Sequence, residues 1–284
     1  MSLQCTPWPT SRLSASDRFD REGWWLLSGS ASPLSLPAGW VSLWWPMSGA
    51  LSMQSIDSQW TLRAGEAQLW RGSVVQARPS HDARWRCIAG RLGDWNAWFA
   101  RVDADDEPLP WYGDTGTALR DALDSIDAIA VVDAATTSTL VDALVERQRE
   151  IAAFLPRCRG RTAQHRRQAL LRLLHVHHLM RCHIESGDDS QVDIGWLAER
   201  AHYSSGHLIR LHRDVFGETP GGYVARLRDA RAWQLVRETD LPVAAITHKL
   251  GFESQSAFCR AFKHAFGMTA TEARRQEDAR CAAA

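Results

Sequence analysis

The side chains best suited to recognising another molecule lie in GFESQSAFCRAFKHAFG, residues 251–267. Its aromatic residues Phe258, Phe262 and Phe266 recur at helical spacing, which predicts that they form one buried face. The opposite face carries polar groups: Gln255, Ser256, Cys259, Arg260 and Lys263. Glutamine and arginine can make paired hydrogen bonds to base edges in the DNA major groove, and lysine suits phosphates. The stretch therefore predicts a helix that contacts DNA.

A second copy of this arrangement lies fifty residues earlier in the chain. The pairs that share the register are Ser204 and Ser254, Leu208 and Phe258, Arg210 and Arg260, Phe216-Gly217 and Phe266-Gly267, and Thr219 and Thr269. Two copies are too few for a solenoid, so the self-similarity indicates a duplicated supersecondary unit.

Each copy predicts a short helix, a tight turn and a second helix, which is helix-turn-helix geometry. In the first copy the apolar positions are Ile194, Leu197, Ala201, Leu208, Leu211 and Val215, and the turn is Tyr203-Ser204-Ser205-Gly206. In the second copy the first helix is lined by Val243, Ile246 and Leu250, and Gly251 to Ser254 form the turn. The two units span about 194–217 and 243–267.

A connecting helix is predicted from about Pro220 to Glu238, because proline suits a first helical turn. Nineteen residues at about 1.5 Å each give a rod of about 28 Å. Successive major grooves on one side of B-DNA are about 34 Å apart. The rod is therefore long enough to hold two recognition helices about one helical turn apart.

Residues 193–275 resemble the DNA-binding domain of the AraC/XylS family of bacterial transcription regulators. The stretches that carry the resemblance are LAERAHYSSGHLIRLHRDVFG (197–217), YVARLRDARAWQLV (223–236) and ITHKLGFESQSAFCRAFKHAFGMTATEAR (246–274). By position, the resemblance implies base-reading places at Gly206, Ile209 and Arg210 in the first unit, and at Gln255, Ser256, Cys259 and Arg260 in the second. Arg213 and Lys263 are expected on phosphates.

The sequence departs from the family pattern at three places. Thr247, followed by His248-Lys249, stands where the family has a small residue, and Thr269-Ala270 replaces Ser-Pro. Gly206 and Ile209 offer little hydrogen-bonding capacity. We therefore expect the second unit, or Arg210 alone, to contribute much of the direct readout.

The preceding part of the chain has the pattern of short strands. Residues 60–70 predict a hairpin with its turn at Ala64-Gly65-Glu66. Together with the short apolar run 40–45 and the apolar-polar alternation of 83–89, this hairpin predicts an antiparallel sandwich or barrel. The resemblance implies a β-barrel of cupin type that senses a ligand or dimerises. An apolar or aromatic effector pocket formed by Trp44, Trp60, Trp70 and Trp85 is one interpretation, and tryptophans that fill the core are the other.

Metal and redox chemistry are weaker alternatives. A catalytic cupin needs several histidines, and only His81 lies before residue 165. His175, His178 and Cys182 share a helix face with metal-ligand spacing, but leucines around them indicate packing. We expect no enzymatic activity, no metal and no cofactor. Cys87 and Cys182 are expected to be buried thiols, whereas oxidation of Cys259 on the reading face is a separate hypothesis.

Composition sets the broad class. The chain has 284 residues with 45% hydrophobic and 23% charged residues, which is typical of a globular protein. No apolar run predicts a membrane span, the first residues do not resemble a secretory signal, and unpaired cysteine spacing favours reduced thiols in the cytoplasm. Net charge is zero, but residues 103–150 carry three Arg against twelve Asp and Glu, whereas 151–189 carry seven Arg against three.

We therefore predict an α+β multidomain protein with four segments: a polar tail (1–18), a β-rich cupin-like domain (19–112), a helical dimerisation or linker region (113–185) and an all-α DNA-binding domain (186–284). Leu140–Leu155 is a candidate dimer surface, with packing inside the chain as the equal alternative. The predicted function is a cytoplasmic, effector-responsive transcription regulator, activator or repressor. Its expected partners are double-stranded DNA, RNA polymerase, a small-molecule effector and a second copy of the chain. A protein that keeps the fold without binding DNA and a metal or redox sensor are the alternatives.

Overall fold

The computed structural model describes residues 4–7, 24–29, 32–56, 58–71, 73–99, 108–127, 134–186 and 192–281. The chain divides into two compact units, residues 1–174 and 175–284. Among the described residues, no helix combines the length and the apolar character that crossing a membrane requires. Most of the expected tail lies outside these ranges, and the functional boundaries at 112 and 185 stay predictions.

The first unit is built on two sheets. Its strands are β1 (Gln4–Pro7), β2 (Trp25–Gly29), β3 (Leu34–Leu36), β4 (Trp40–Ser48), β5 (Ala50–Gln54), β6 (Gln59–Arg63), β7 (Glu66–Arg71), β8 (Val75–Pro79), β9 (Arg84–Arg91) and β10 (Trp111–Asp114). One sheet has the order β1-β2-β9-β4-β7-β10 and the other β3-β8-β5-β6. All neighbours are antiparallel except β1 and β2. The alternation predicted for 83–89 is present, with Trp85 and Cys87 buried and Arg84 exposed.

The structure corrects two expectations about these strands. Among the described residues no ladder joins the two sheets, so a closed barrel is not formed. The turn at Ala64-Gly65 does not make a hairpin, because β6 pairs with β5 while β7 pairs with β4 and β10. A turn signal specifies only that the chain reverses. The partner of each strand is set by which neighbour completes the burial of Leu62 and Leu69, both fully buried here.

The first unit also contains the helices α1 (Leu92–Phe99), α2 (Gly116–Asp127) and α3 (Ala134–Ala152) and the first half of α4 (Ala163–Ser186). The sequence did not predict α1. Its Trp95 is fully buried and donates its indole N–H to the Val41 carbonyl at 2.9 Å. Helix α1 therefore fastens the end of β9 to the middle of the larger sheet.

The apolar stripe of α3 is buried inside the chain, which favours intramolecular packing over the alternative of a dimer surface. Leu140, Leu144 and Ile151 are buried within the single chain. The buried side chain of Gln148 donates to the Leu109 carbonyl at 2.9 Å and accepts from the Leu109 amide at 2.8 Å. This face is packed because α3 needs its apolar side covered before any second copy is present.

Six helices make up most of the second unit: α5 (Ile194–Arg200), α6 (Ser205–Phe216), α7 (Pro220–Glu238), α8 (Val243–Lys249), α9 (Gln255–Phe266) and α10 (Ala270–Cys281). Helix α7 has the bounds that the sequence predicts. Helix α6 begins inside the stretch predicted as a turn, because Ser204 caps it. Helix α10 was not predicted.

The positions that the two sequence copies share are largely helix caps. The Ser204 hydroxyl accepts from the His207 amide and the Ser254 hydroxyl from the Ala257 amide, which satisfies amides that lack helical partners. Gly217 and Gly267 end α6 and α9 with φ of 81° and 72°, a left-handed conformation that favours glycine. The fifty-residue register therefore repeats the start and stop of the second helix in each pair.

A capping box explains why the chain continues as α10. The Thr269 amide donates to the Glu272 carboxylate at 2.7 Å, and the Glu272 amide donates to the Thr269 hydroxyl at 3.2 Å. The Thr269 amide and hydroxyl both donate to the Glu272 carboxylate, which holds the pKa of this carboxyl below its usual value. Arg274 then donates to the Val236 and Leu241 carbonyls. Helix α10 is thereby tied to the end of α7.

The end of α4 packs on α6 and α7 through a histidine pair within the second unit. His177 Nε2 lies 2.8 Å from His212 Nε2, and the His177 ring stacks on Tyr223 at 4.0 Å. His212 Nδ1 donates to the Glu218 carbonyl, which leaves its Nε2 as the acceptor for His177. Burial lowers the pKa of both imidazoles, and nearby positive charge at Arg226 and Arg181 lowers that of His177 further.

Replacement of Ser254 by alanine should loosen α9 by about 1 kcal/mol, because it removes the side-chain cap. Ser256→Ala is the matched control, since Ser256 is exposed inside the helix and does not cap it. Hydrogen exchange of the α9 amides is the measurement, and about fivefold faster exchange is expected for Ser254→Ala alone. Equal exchange in the two variants would contradict this role.

The histidine pair should make stability depend on pH. Because the folded-state pKa values are lowered, the unfolded chain binds more protons, so stability is complete above about pH 6.5 and declines as pH falls below it. His177→Gln keeps a donor for His212 and removes one titrating group, so it should flatten this decline. Urea midpoints of the full chain between pH 5 and 8 measure it. His248→Gln, at an exposed position of α8, should leave the pH dependence of the urea midpoint as in the wild type. If the two variants show the same pH dependence, the histidine pair does not cause the decline in stability.

Candidate nucleic-acid interface

Helix α9 has two distinct faces. Phe258 and Phe262 are buried with Val236, Ile246 and Ala273 in one apolar cluster. Phe266, which we expected in the core, is half-buried and lies 4.7 Å from the Trp233 ring. The outer face exposes all five side chains that the sequence singled out: Gln255, Ser256, Cys259, Arg260 and Lys263.

The exposed groups of α9 form a stripe along the helix. Ser256, Cys259 and Lys263 follow at spacings of three and four, which places them on one side. Gln255 and Ser256 lie in the first turn, directly after the Ser254 cap, and Lys263 lies in the last turn. The Gln255 amide in the first turn and the Arg260 guanidinium in the middle of the helix can hydrogen-bond base edges, while the Lys263 ammonium in the last turn can bind a phosphate.

Helix α6 offers a smaller set of groups. Gly206, Arg210 and Arg213 are exposed, and Ile209 is half-buried. A Cβ atom at Gly206 would lie 3.8 Å from the Arg210 Nη1 atom, so this guanidinium lies over the backbone of the first turn. Of the four positions, only the two arginines bring hydrogen-bonding side chains.

Helix α7 holds the two helix pairs at its two ends. Near its start, Tyr223 packs against the His177 and His212 rings. Near its end, Trp233 stacks on Phe262 with ring centroids 6.0 Å apart, and Leu235 and Val236 join the same cluster as Phe258. Its nineteen residues correspond to about 28 Å, which is close to the repeat of the major groove.

The four tryptophans of the predicted effector pocket do not line one cavity that the structure describes. Trp44 and Trp85 are buried with ring centroids 5.7 Å apart, whereas Trp60 stacks on Trp70 at 5.1 Å. Trp44 donates to Ser42, Trp60 to Gln68 and Trp70 to the Ser73 carbonyl. These contacts favour the core-filling interpretation, and an effector pocket stays a prediction.

The cysteines whose side chains the structure describes are buried except Cys259, and the histidine-rich segment does not form a metal site among the described residues. Cys87 is fully buried, which raises the pKa of its thiol, and burial raises the pKa of the Cys158 thiol to about 11. Cys182 is buried beside His178, with Sγ 3.5 Å from Nε2. Within the part of the chain that the structure describes, no three His, Cys, Asp or Glu residues gather as a metal would require. Cys259 is the exposed thiol of α9.

Sequence reasoning missed the residues that position α6. It considered His175, His178 and Cys182 as metal ligands. The residue of this segment that contacts α6 is His177, which hydrogen-bonds His212. A histidine at a buried position of a recognition helix was the available signal. The capping box of Thr269 and Glu272 was a second signal, and it would have predicted α10.

Comparison with known proteins matches the C-terminal part of the chain. A family model described as a helix-turn-helix domain matches residues 197–276. The RCS-specific HTH-type transcriptional activator RclR of Escherichia coli K12 is 40% identical over 78 residues, which cover 28% of this chain and 28% of that protein. The right origin-binding protein of Escherichia coli K12 is 33% identical over 95 residues, 34% of this chain and 33% of that protein.

Among solved structures, an AraC-type transcriptional regulator from Chromobacterium violaceum is 26% identical and covers 37% of this chain and 91% of its own. Its TM-score is 0.34, at which the likeness carries no structural argument. The matched part of this chain spans about a third or less of the length of the two relatives named above. The family match over residues 197–276 confirms that this chain carries a helix-turn-helix domain, as the resemblance to the AraC/XylS family implied.

Proposed function

We propose that this protein is a sequence-specific DNA-binding transcription regulator of AraC type. The observation that carries the proposal is the repeated helix pair within an AraC-type domain, in which α6 and α9 each bury one face and expose the other. The relatives support it, because one is named as a transcriptional activator and another as an origin-binding protein. Those names describe the relatives, and DNA binding by this chain is the point to test.

In the proposed complex, α6 and α9 enter successive major grooves and α7 spans between them. Gln255, Ser256 and Arg260 contact base edges from α9, and Arg210 does so from α6. Arg213 and Lys263 bind phosphates, which sets the position of each helix without reading sequence. Gly206 and Ile209 allow close approach of the α6 backbone, and Cys259 contributes an apolar contact.

The proposed role of the first unit is regulatory. Its sheets would bind a small-molecule effector or hold two copies together, and RNA polymerase is the proposed partner at a promoter. The burial of Trp44 and Trp85 supports a stable scaffold more than an open tryptophan-lined pocket. We propose no enzymatic activity, in keeping with the regulatory names of the relatives.

Arg260→Ala should relax specificity at one base position and cost about 1–3 kcal/mol of binding there. The measurement is selection of genomic fragments by purified protein, followed by sequencing, for the wild type and the variant in parallel. The wild type should enrich two motifs about ten base pairs apart, and the variant should lose preference within one of them.

Lys263→Ala provides the matched comparison on the same helix. It should weaken binding to all DNA sequences alike. The slope of log affinity against log salt concentration should fall by about 1 in magnitude, because one phosphate contact is lost. If the wild type binds no DNA at any salt concentration, the proposed function fails in favour of a protein that keeps the fold for another use.

The two recognition helices should respond unequally to single substitutions. Arg210→Ala removes the base-reading side chain of α6 that carries most of its hydrogen-bonding capacity, so the whole first motif should weaken. Gln255→Ala should leave partial preference in the second motif, because Ser256 and Arg260 remain. Sequence selection with both variants measures this, and complete loss of the second motif with Gln255→Ala would contradict the inequality.

A further inference from the structure

The arginines at the start of α4 form a second basic region, separate from the helix-turn-helix domain. Between Glu150 and Glu185 the chain has no acidic residue and seven arginines: Arg157, Arg159, Arg161, Arg166, Arg167, Arg172 and Arg181. The first three are exposed, and so is Arg172. The proposed function uses none of them. Such a concentration of one charge sign is the electrostatic footprint of a surface that binds a polyanion.

The local fold gathers several of these arginines on a formed surface. The loop 159–161 is folded back on the first turn of α4, where a Cβ atom at Gly160 would lie only 2.9 Å from the Arg166 amide nitrogen. Arg166 Nη1 donates to the Gly160 carbonyl at 3.3 Å, and the His165 amide donates to the Thr162 hydroxyl at 3.2 Å. Arg159 and Arg161 therefore flank a glycine that is held against Arg166.

A further arginine from the sheet extends this region. Arg71 at the end of β7 is half-buried, which lowers the pKa of its guanidinium, and the positive charge of Arg167 lowers it further. Arg71 therefore adds positive charge near Arg167 at the start of α4. We call Arg71, Arg159, Arg161, Arg166 and Arg167 the arginine cluster.

We propose that the arginine cluster binds the phosphate backbone of DNA and adds sequence-independent affinity to the helix-turn-helix domain. The proposal rests on the proposed function. Contacts that these side chains already make within the chain are compatible with it, because each guanidinium carries five N–H donors. DNA is favoured over an acidic protein because the cluster is joined covalently to the unit that carries α6 and α9, which the proposed function places on DNA.

Covalent linkage makes a weak second contact effective. Once the recognition helices hold DNA, a tethered basic surface meets the same DNA at a high effective concentration. Phosphate contacts are insensitive to sequence and each releases counterions, so their loss reduces both the affinity and its dependence on salt. Loss of the arginine cluster should therefore weaken binding to cognate DNA and to unrelated DNA by the same factor.

The test compares two double variants of the full chain. Arg161→Gln with Arg166→Gln removes two charges from the cluster. Arg78→Gln with Arg84→Gln removes two exposed charges from β8 and β9 in the same unit. Fluorescence anisotropy gives the dissociation constant for a selected site and for an unrelated duplex of equal length at several salt concentrations. Arg161→Gln alone leaves the Arg166 contact with Gly160 intact and serves if the double variant unfolds.

The cluster variant should bind both duplexes up to about 60-fold more weakly at 0.1 M salt, with a salt slope reduced by up to about 2, while the control pair matches the wild type. Affinity and slope equal to the control pair would overturn the inference and leave the proposed function standing. If the cluster variant binds DNA like the wild type but changes its oligomeric state, the arginine cluster binds a protein and the inference is wrong. Failure of the wild type to bind any DNA would refute the proposed function and this inference together.

Discussion

The burial of Phe258 and Phe262 against α7 is the interaction on which the reading surface depends. Helices of twelve residues such as α6 and α9 are marginal alone in water, so packing decides whether they form and how they are rotated. Once both phenylalanines lie in the cluster with Val236, the opposite side of α9 has to face outward. The exposure of Gln255 and Arg260 follows from that rotation.

In the first helix pair, packing also turns one face of α6 outward, but the contact that does so is different. Leu208, Leu211 and Val215 bury one side of α6, but a polar group, His212, is buried with them. Its two nitrogens are satisfied by the Glu218 carbonyl and by His177. A buried imidazole without these partners would cost free energy, so the position of α6 depends on the end of α4. The two pairs are therefore alike in outline and different in how they are held.

The sequence predicted the second unit better than the first, for a physical reason. Local signals determine helices: the caps Ser204 and Ser254, Pro220 and the aromatic spacing gave α6, α7 and α9 nearly to the residue. Strand partners are set by contacts between distant residues, so the turn at Gly65 was located and its pairing was wrong. The exposed stripe of α9 followed from periodicity alone, whereas the link between His177 and His212 crosses thirty-five positions and no periodicity indicates it.

Unequal reading by the two helices has a consequence for affinity. In the proposed complex, α6 offers one principal base-reading side chain, Arg210, so it would gain little specific binding energy from its groove. A stable complex then needs contacts with phosphates, which account for much of protein–DNA affinity without reading sequence. In the proposed complex, Arg213 and Lys263 would make two such contacts from the second unit. The arginine cluster at the start of α4 would supply more phosphate contacts. These contacts would compensate for the small number of base contacts that α6 can make.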